Sequence, residues 1–297
     1  MISENIIESS DGTPPRLHDW VLTEGDRLFY KITGQGVPLL AIPGGGGNGD
    51  TFLPLADQLR SRFKVITYDR RANARSTANE PAPFSVAQQA RDALAVLHAA
   101  GEDSAFVLGA SSGAVIALGL IQASAESVRK AILFEPPLTR FAEHRDRWSG
   151  FFEDCYRVSQ AKGASKAATK FGTGVLGRMS FAPLLADLSL KRYLRQETKD
   201  ENEVYMSEAA GDDVFINHEL LPVTSYQPDI GALRNVSEKL VFAAGTWSEN
   251  KHIWLAGVAQ TLAHETGGAF ITLPGSHVSY QDKAKRWAAP IESIFHA

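Results

Sequence analysis

Cys155 is the only cysteine among 297 residues, so no intrachain disulfide can form. No CxxC pair and no Cys/His cluster is present to hold zinc, and no metal is expected. A basic surplus is missing too. The 30 Lys and Arg against 34 Asp and Glu leave a formal charge of −4, which argues against nucleic acid as a partner. No apolar run approaches the length of a membrane span, so no membrane partner is expected. The opening MISENIIESSDGTPPR lacks the positive and apolar regions of a signal peptide. These absences leave a soluble chain with a cytoplasmic address as the default. The chain is 44% hydrophobic and 22% charged, ordinary for a globular protein. At this length it can bury most of its unfolded surface without disulfides or metal. The sequence sets no oligomeric state, a homodimer being the one oligomer considered.

What is present is an alternation of short apolar runs and helical patterns. Residues 1–16 read as a polar arm. Strands are predicted at Leu17–Leu22, Arg27–Thr33, Val37–Ile42, Lys64–Tyr68, Ala105–Leu108 and Lys130–Phe134. Helices are predicted at Thr51–Arg60, at Ser85–Ala99 with Ser85 as cap and Ala90, Leu94, Leu97 and His98 on one face, and at Ser112–Ala123. Alternating strands and helices imply a parallel sheet covered on both faces. The alternation stops over 136–235, where the pattern is mostly helical (Glu143–Ala161, Ser165–Gly172, Ala182–Glu197) and rich in aromatic residues. It then resumes with strands Lys239–Ala244 and Ala269–Leu273 and helices His252–Glu265 and Lys283–Phe295. The expected organisation is therefore an α/β core of 17–135 and 236–297, with 136–235 inserted as a helical lid.

One pentapeptide carries chemistry. Gly109-Ala110-Ser111-Ser112-Gly113 fits G-x-S-x-G, a sharp strand-to-helix turn that lifts a serine hydroxyl above the sheet. The apolar Phe106-Val107-Leu108 before it and the small-residue helix after it supply the context that the motif requires. Serine needs a base. Of eight histidines, His277 alone follows a core strand, in Pro274-Gly275-Ser276-His277, and loops after parallel strands share the rim where Ser111 lies. The base needs an orienting acid. Glu135, at the end of Lys130–Phe134, and Glu249, after Lys239–Ala244, both suit that rim, and the residues alone leave the choice open. The run Pro43-Gly44-Gly45-Gly46-Gly47 lets backbone approach a ligand closely, and the Ser112 amide at a helix start is the natural partner donor for an oxyanion. The run lacks the Lys-Ser/Thr of a P-loop and the spacing of a dinucleotide fingerprint.

With these pieces assembled, the chain resembles the α/β-hydrolase superfamily over about residues 17–296. The matching segments are Ile42-Pro43-Gly44-Gly45-Gly46, Tyr68-Asp69-Arg70-Arg71, Gly109–Gly113, Phe134-Glu135-Pro136-Pro137 and Pro274-Gly275-Ser276-His277. Within the superfamily it is similar to the zearalenone-lactonase group and to bacterial hydrolases with the same Glu-Pro-Pro segment. The resemblance implies a mostly parallel eight-stranded sheet flanked by helices with a helical lid. It favours Glu135 as the acid of a Ser111–His277–Glu135 triad, since the more usual position after Lys239–Ala244 holds Ser248 rather than an aspartate. It also implies Gly45 and Ser112 as oxyanion donors and requires no cofactor. The expected reaction is hydrolysis of an ester or lactone of a hydrophobic small molecule, with Gly46, Trp148, Phe151 and Phe152 as candidate substrate contacts. A cofactor-free lyase or cyclase, a C–C hydrolase and a non-catalytic ligand receptor are the competing uses of such a fold.

Overall fold

The computed structural model describes residues 16–78, 83–175, 188, 190–194 and 208–296. The arm expected at 1–16 lies outside them except for Arg16, as does most of the helix expected over 182–197. Eight strands form one sheet: β1 Leu17–Thr23, β2 Asp26–Thr33, β3 Val37–Ile42, β4 Phe63–Tyr68, β5 Ala105–Ala110, β6 Val128–Phe134, β7 Leu240–Gly245 and β8 Ala269–Leu273. Their order is β1-β2-β4-β3-β5-β6-β7-β8. β2 runs antiparallel to β1 and β4, and every other neighbouring pair is parallel.

The central strands β3, β5 and β7 are apolar throughout, and β6 is so from Ala131 onward, because both faces are covered. Successive side chains alternate between two cores. Leu40 and Ile42 of β3, Val107 of β5, Leu133 of β6 and Phe242 of β7 face one core. Leu39, Ala41, Leu108, Ile132, Phe134 and Ala243 face the other. The first core is closed by α2 (Val86–Ala99), α3 (Ser112–Ala123) and the helix Trp254–Thr266. The second is closed by α1 (Leu53–Leu59) and the helix Ala284–His296. α3 is buried at every position from Ser112 to Ile121, as an all-round apolar helix must be. Its small residues let neighbours approach: a Cβ on Gly119 would stand 2.6 Å from Val86 Cγ1. α2 starts as expected, with Ser85 accepting the Gln88 amide, but His98 is exposed. Ala90 and Leu97 are buried as expected, Leu94 packs partly buried against the same core, and Ala93 and Val96 complete the face. The segment after β7 is a short helix, Thr246–Asn250.

Between β6 and β7 the chain leaves the sheet through α4 (Arg145–Lys162) and α5 (Ala164–Val175). It returns through the helix Glu208–Asp213, a π-helical turn Val214–Glu219 and the helices Leu220–Thr224 and Ile230–Arg234. Phe152, Cys155, Ala167, Val175, Ile216 and Leu220 form a separate apolar cluster here, joined by Leu255 of the core. Burial contributes about 1.5–3 kcal/mol for a fully covered side chain the size of Phe152. Among the described residues, no helix is long and apolar enough to cross a membrane.

Candidate active site

The turn after β5 is tight because both flanking glycines face backbone. A Cβ on Gly109 would sit 2.5 Å from the Gly113 carbonyl oxygen, and one on Gly113 would sit 2.0 Å from that of Ile42. Neither distance admits a side chain. Ser111 adopts φ 54° and ψ −121°, a region that is strained for a non-glycine residue, by about 1–3 kcal/mol. Its amide donates to the Phe134 carbonyl at 2.8 Å, and its carbonyl accepts the Ala114 amide at 2.9 Å. The strain is therefore held from β6 on one side and α3 on the other.

Glu135 follows Phe134 directly and is fully buried. It also has a positive φ, 49°, and its amide donates to the Ala243 carbonyl at 2.9 Å. One carboxylate oxygen, Oε1, accepts the Gly245 amide at 2.8 Å. The other, Oε2, lies 2.5 Å from His277 Nδ1. Glu249 is engaged elsewhere: its oxygens accept Gln260 Nε2 at 3.1 Å and Thr272 Oγ1 at 2.5 Å. The two carboxylates that the residues alone leave open are thus separated by geometry, and the one on the imidazole is Glu135.

The His277 loop is pinned to the end of β7. The Trp247 amide donates to the Gly275 carbonyl at 2.8 Å, and the Gly275 amide donates to Thr246 Oγ1 at 2.9 Å. Trp287 Nε1 donates to the Pro274 carbonyl at 2.8 Å, and the imidazole stacks on Phe134 with centroids 6.2 Å apart. With Nδ1 facing a carboxylate, the neutral ring carries its proton there and presents Nε2 as a proton acceptor.

Ser111, Ser112 and His277 line one cavity of about 640 Å³, together with Gly44, Gly45 and Gly46. Ser112 opens α3, so its amide has no acceptor within the helix. The cavity walls include Phe152, Phe171, Phe215, Leu220, Val223 and Trp254. Of the candidate contacts, Gly46 and Phe152 line it. Trp148 stacks on Trp254 at 4.6 Å, and Phe151 meets Phe152 edge-on at 5.4 Å. Sequence reasoning does not single out Phe215, Trp254 or Tyr280 as site residues. No motif marks them, and they reach the cavity from three separate stretches of chain.

The chain just after the glycine run is held by buried charge. Asp69 accepts the Gly49 amide at 2.9 Å and pairs with Arg75, which also pairs with Asp50. Burial raises the Asp69 carboxyl above its ordinary range, opposed by Arg75. Burial also works against the Arg75 cation, but the attraction of Asp69 and Asp50 outweighs it and holds that pKa above its usual value.

The family model for the alpha/beta hydrolase fold matches residues 37–201. The chain belongs to this family and is a hydrolase. It is 27% identical to YraK of Bacillus subtilis (strain 168), named an uncharacterized hydrolase, over 264 residues spanning 86% of this chain and 88% of YraK. Among solved structures, it is similar to an alpha/beta hydrolase from Sphaerobacter thermophilus, with a TM-score of 0.67 at 24% identity over 94% of this chain and 100% of that one. It also shares its fold with the enol-lactonase from Burkholderia xenovorans LB400, with a TM-score of 0.71 at 15% identity over 94% and 100% of the two chains.

Proposed function

We propose that the protein hydrolyses an ester or lactone bond of a hydrophobic small molecule through a Ser111–His277–Glu135 triad and an acyl-enzyme. The observation that carries this reading is the 2.5 Å contact between buried Glu135 and His277 Nδ1, with Ser111 on the same cavity. His277 Nε2 takes the proton as Ser111 Oγ attacks the carbonyl carbon. The amides of Gly45 and Ser112 hold the oxyanion. Collapse of the tetrahedral intermediate expels the alcohol, which receives the proton from the imidazolium. Water then attacks the acyl-enzyme with His277 again as base, releasing the acid and restoring Ser111. Glu135 holds the imidazole tautomer and balances its cation.

Residues 136–235 act as the lid over this site in the proposal. Phe152, Phe171 and Phe215 of that segment supply apolar wall, which supports a hydrophobic substrate. The Glu135-Pro136-Pro137 segment at the end of β6 carries the sequence resemblance to the zearalenone-lactonase group, and on that resemblance lactones fall within the proposed range. Ser111→Ala should abolish turnover of a short p-nitrophenyl ester while the melting transition survives, and retained turnover would remove the proposal. Labelling of Ser111 by a fluorophosphonate separates this reading from a ligand receptor.

A further inference from the structure

A second buried constellation sits behind the glycine run. Arg70 is fully buried, and its guanidinium is shared between two elements far apart in sequence. Toward the core, Nε donates to the Pro43 carbonyl at 3.1 Å and Nη2 to the Gly44 carbonyl at 2.8 Å. Toward the insertion, Nη1 and Nη2 donate to the two carboxylate oxygens of Glu219 at 3.0 and 2.6 Å. Glu219 ends the π-helical turn, is itself buried, and accepts a third hydrogen bond from Asn73 Nδ2 at 2.8 Å. The same turn carries Phe215, whose ring packs on Gly45: a Cβ there would stand 2.5 Å from Phe215 Cε2.

The consequence lies in one peptide unit. The Gly44 carbonyl and the Gly45 amide are opposite ends of a planar trans peptide, so fixing the direction of one fixes the other in reverse. A peptide between two glycines is otherwise free to rotate over a wide range. Arg70, assisted by the Gly47 amide at 3.0 Å, draws the Gly44 oxygen away, while Gly45 borders the cavity that holds Ser111. A buried guanidinium keeps this geometry only while a buried carboxylate balances it, and that carboxylate comes from the insertion.

We propose that the Arg70–Glu219 pair is a positioning clamp that aims the Gly45 amide at the oxyanion, so that docking of the insertion completes the oxyanion hole. The clamp rests on the hydrolytic reading above. Neither residue lines the cavity. Their effect runs through the Gly44–Gly45 peptide and belongs to the transition state, where the oxyanion forms, rather than to substrate binding.

The test uses two variants of the full chain, Glu219→Gln and the double variant Arg70→Met/Glu219→Met. The double variant removes the hold on Gly44 while replacing the ion pair with apolar side chains of similar length, a change that is often neutral for stability. Both are assayed for kcat and KM on a p-nitrophenyl ester. Both are also assayed for inhibition by an aryl trifluoromethyl ketone, which captures Ser111 as an oxyanion, against the matching unreactive alcohol. Loss of one oxyanion donor lowers kcat by about 10²–10³, and a misaimed donor by about ten-fold or more. The expected result is a fall of that size in kcat for both variants with KM within about threefold. Ketone affinity should fall in parallel and alcohol affinity stay unchanged. A folded double variant with wild-type kcat would overturn the clamp, as would a loss confined to KM, or a failure of both variants to melt cooperatively. Should wild type hydrolyse no ester, or Ser111→Ala remain active, the hydrolytic reading itself falls. An active wild type beside an equally active double variant sinks the clamp alone.

Discussion

Glu135→Gln isolates the contact on which the proposed triad depends. Glutamine has almost the volume of glutamate, so packing around this fully buried position is retained. The hydrogen bonds cannot all be retained. If the amide oxygen keeps accepting the Gly245 amide in place of Oε1, the NH₂ group faces His277 Nδ1 in place of Oε2. The imidazole must then carry its proton on Nε2 and cannot accept one from Ser111. The reverse orientation restores the working tautomer but sets two donors against each other at Gly245, an unsatisfied buried group costing about 1–3 kcal/mol. In either orientation the charge-assisted hydrogen bond to the imidazolium, worth about 1.5–3 kcal/mol, is lost. The sum, about 2.5–6 kcal/mol, predicts a fall in kcat of about 10²–10⁴, in the range seen when the acid of a serine triad is made an amide. Steady-state hydrolysis of a p-nitrophenyl ester measures it, with the melting curve as control. Glu249→Gln serves as the matched comparison and should change kcat less than about twofold. A Glu135→Gln enzyme keeping a third or more of wild-type kcat would refute the reasoning, and a large loss in Glu249→Gln would redirect it.

Two further predictions concern other parts of the chain. Burial pushes the Cys155 thiol up to about 11, so at pH 8 about one molecule in a thousand carries a thiolate. Ellman's reagent should therefore modify the native protein at least about 100-fold more slowly than the denatured chain, and comparable rates would contradict the buried placement of α4. Ala72 has φ 65°, which strains an L-residue by about 1–2 kcal/mol. Ala72→Gly should relieve that strain, less about 0.4–1 kcal/mol of added freedom in the unfolded chain. A net gain of about 0.5–1 kcal/mol in urea unfolding is expected, and a loss would show that the backbone there is not strained.

Much of the core was legible because its signals are local. β3, β6 and β7 are apolar runs with breakers behind them, and α3 begins and ends where the small-residue helix was expected, at Ser112 and Ala123. The Ser111 turn and the His277 loop followed from the rule that parallel strands share a rim. Glu135 against Glu249 was not decidable from the residues, since both follow core strands, and only the register of β6 beside β7 brings Glu135 to Gly245 and His277. Helical spacing aligns His98 with the apolar face of α2, but it stands in the last turn and points to solvent, a surface place that a histidine in a helical pattern commonly takes. The contacts made by the described residues between β6 and β7 were illegible for a different reason. Arg70 and Glu219 are 149 positions apart, and no periodicity ties a π-helical turn to a glycine run. Phe215 reaches Gly45 through that same turn.

The most direct measurement of the central claim is intact-protein and peptide mass spectrometry of the wild type, quenched in acid within the first turnovers of a p-nitrophenyl ester. The account predicts a burst of p-nitrophenol of about one equivalent when deacylation is slow, matched by an acyl group on the peptide containing Ser111. Steady turnover with the acyl group on another residue, or with that peptide never modified and no labelling of Ser111 by a fluorophosphonate, would contradict it.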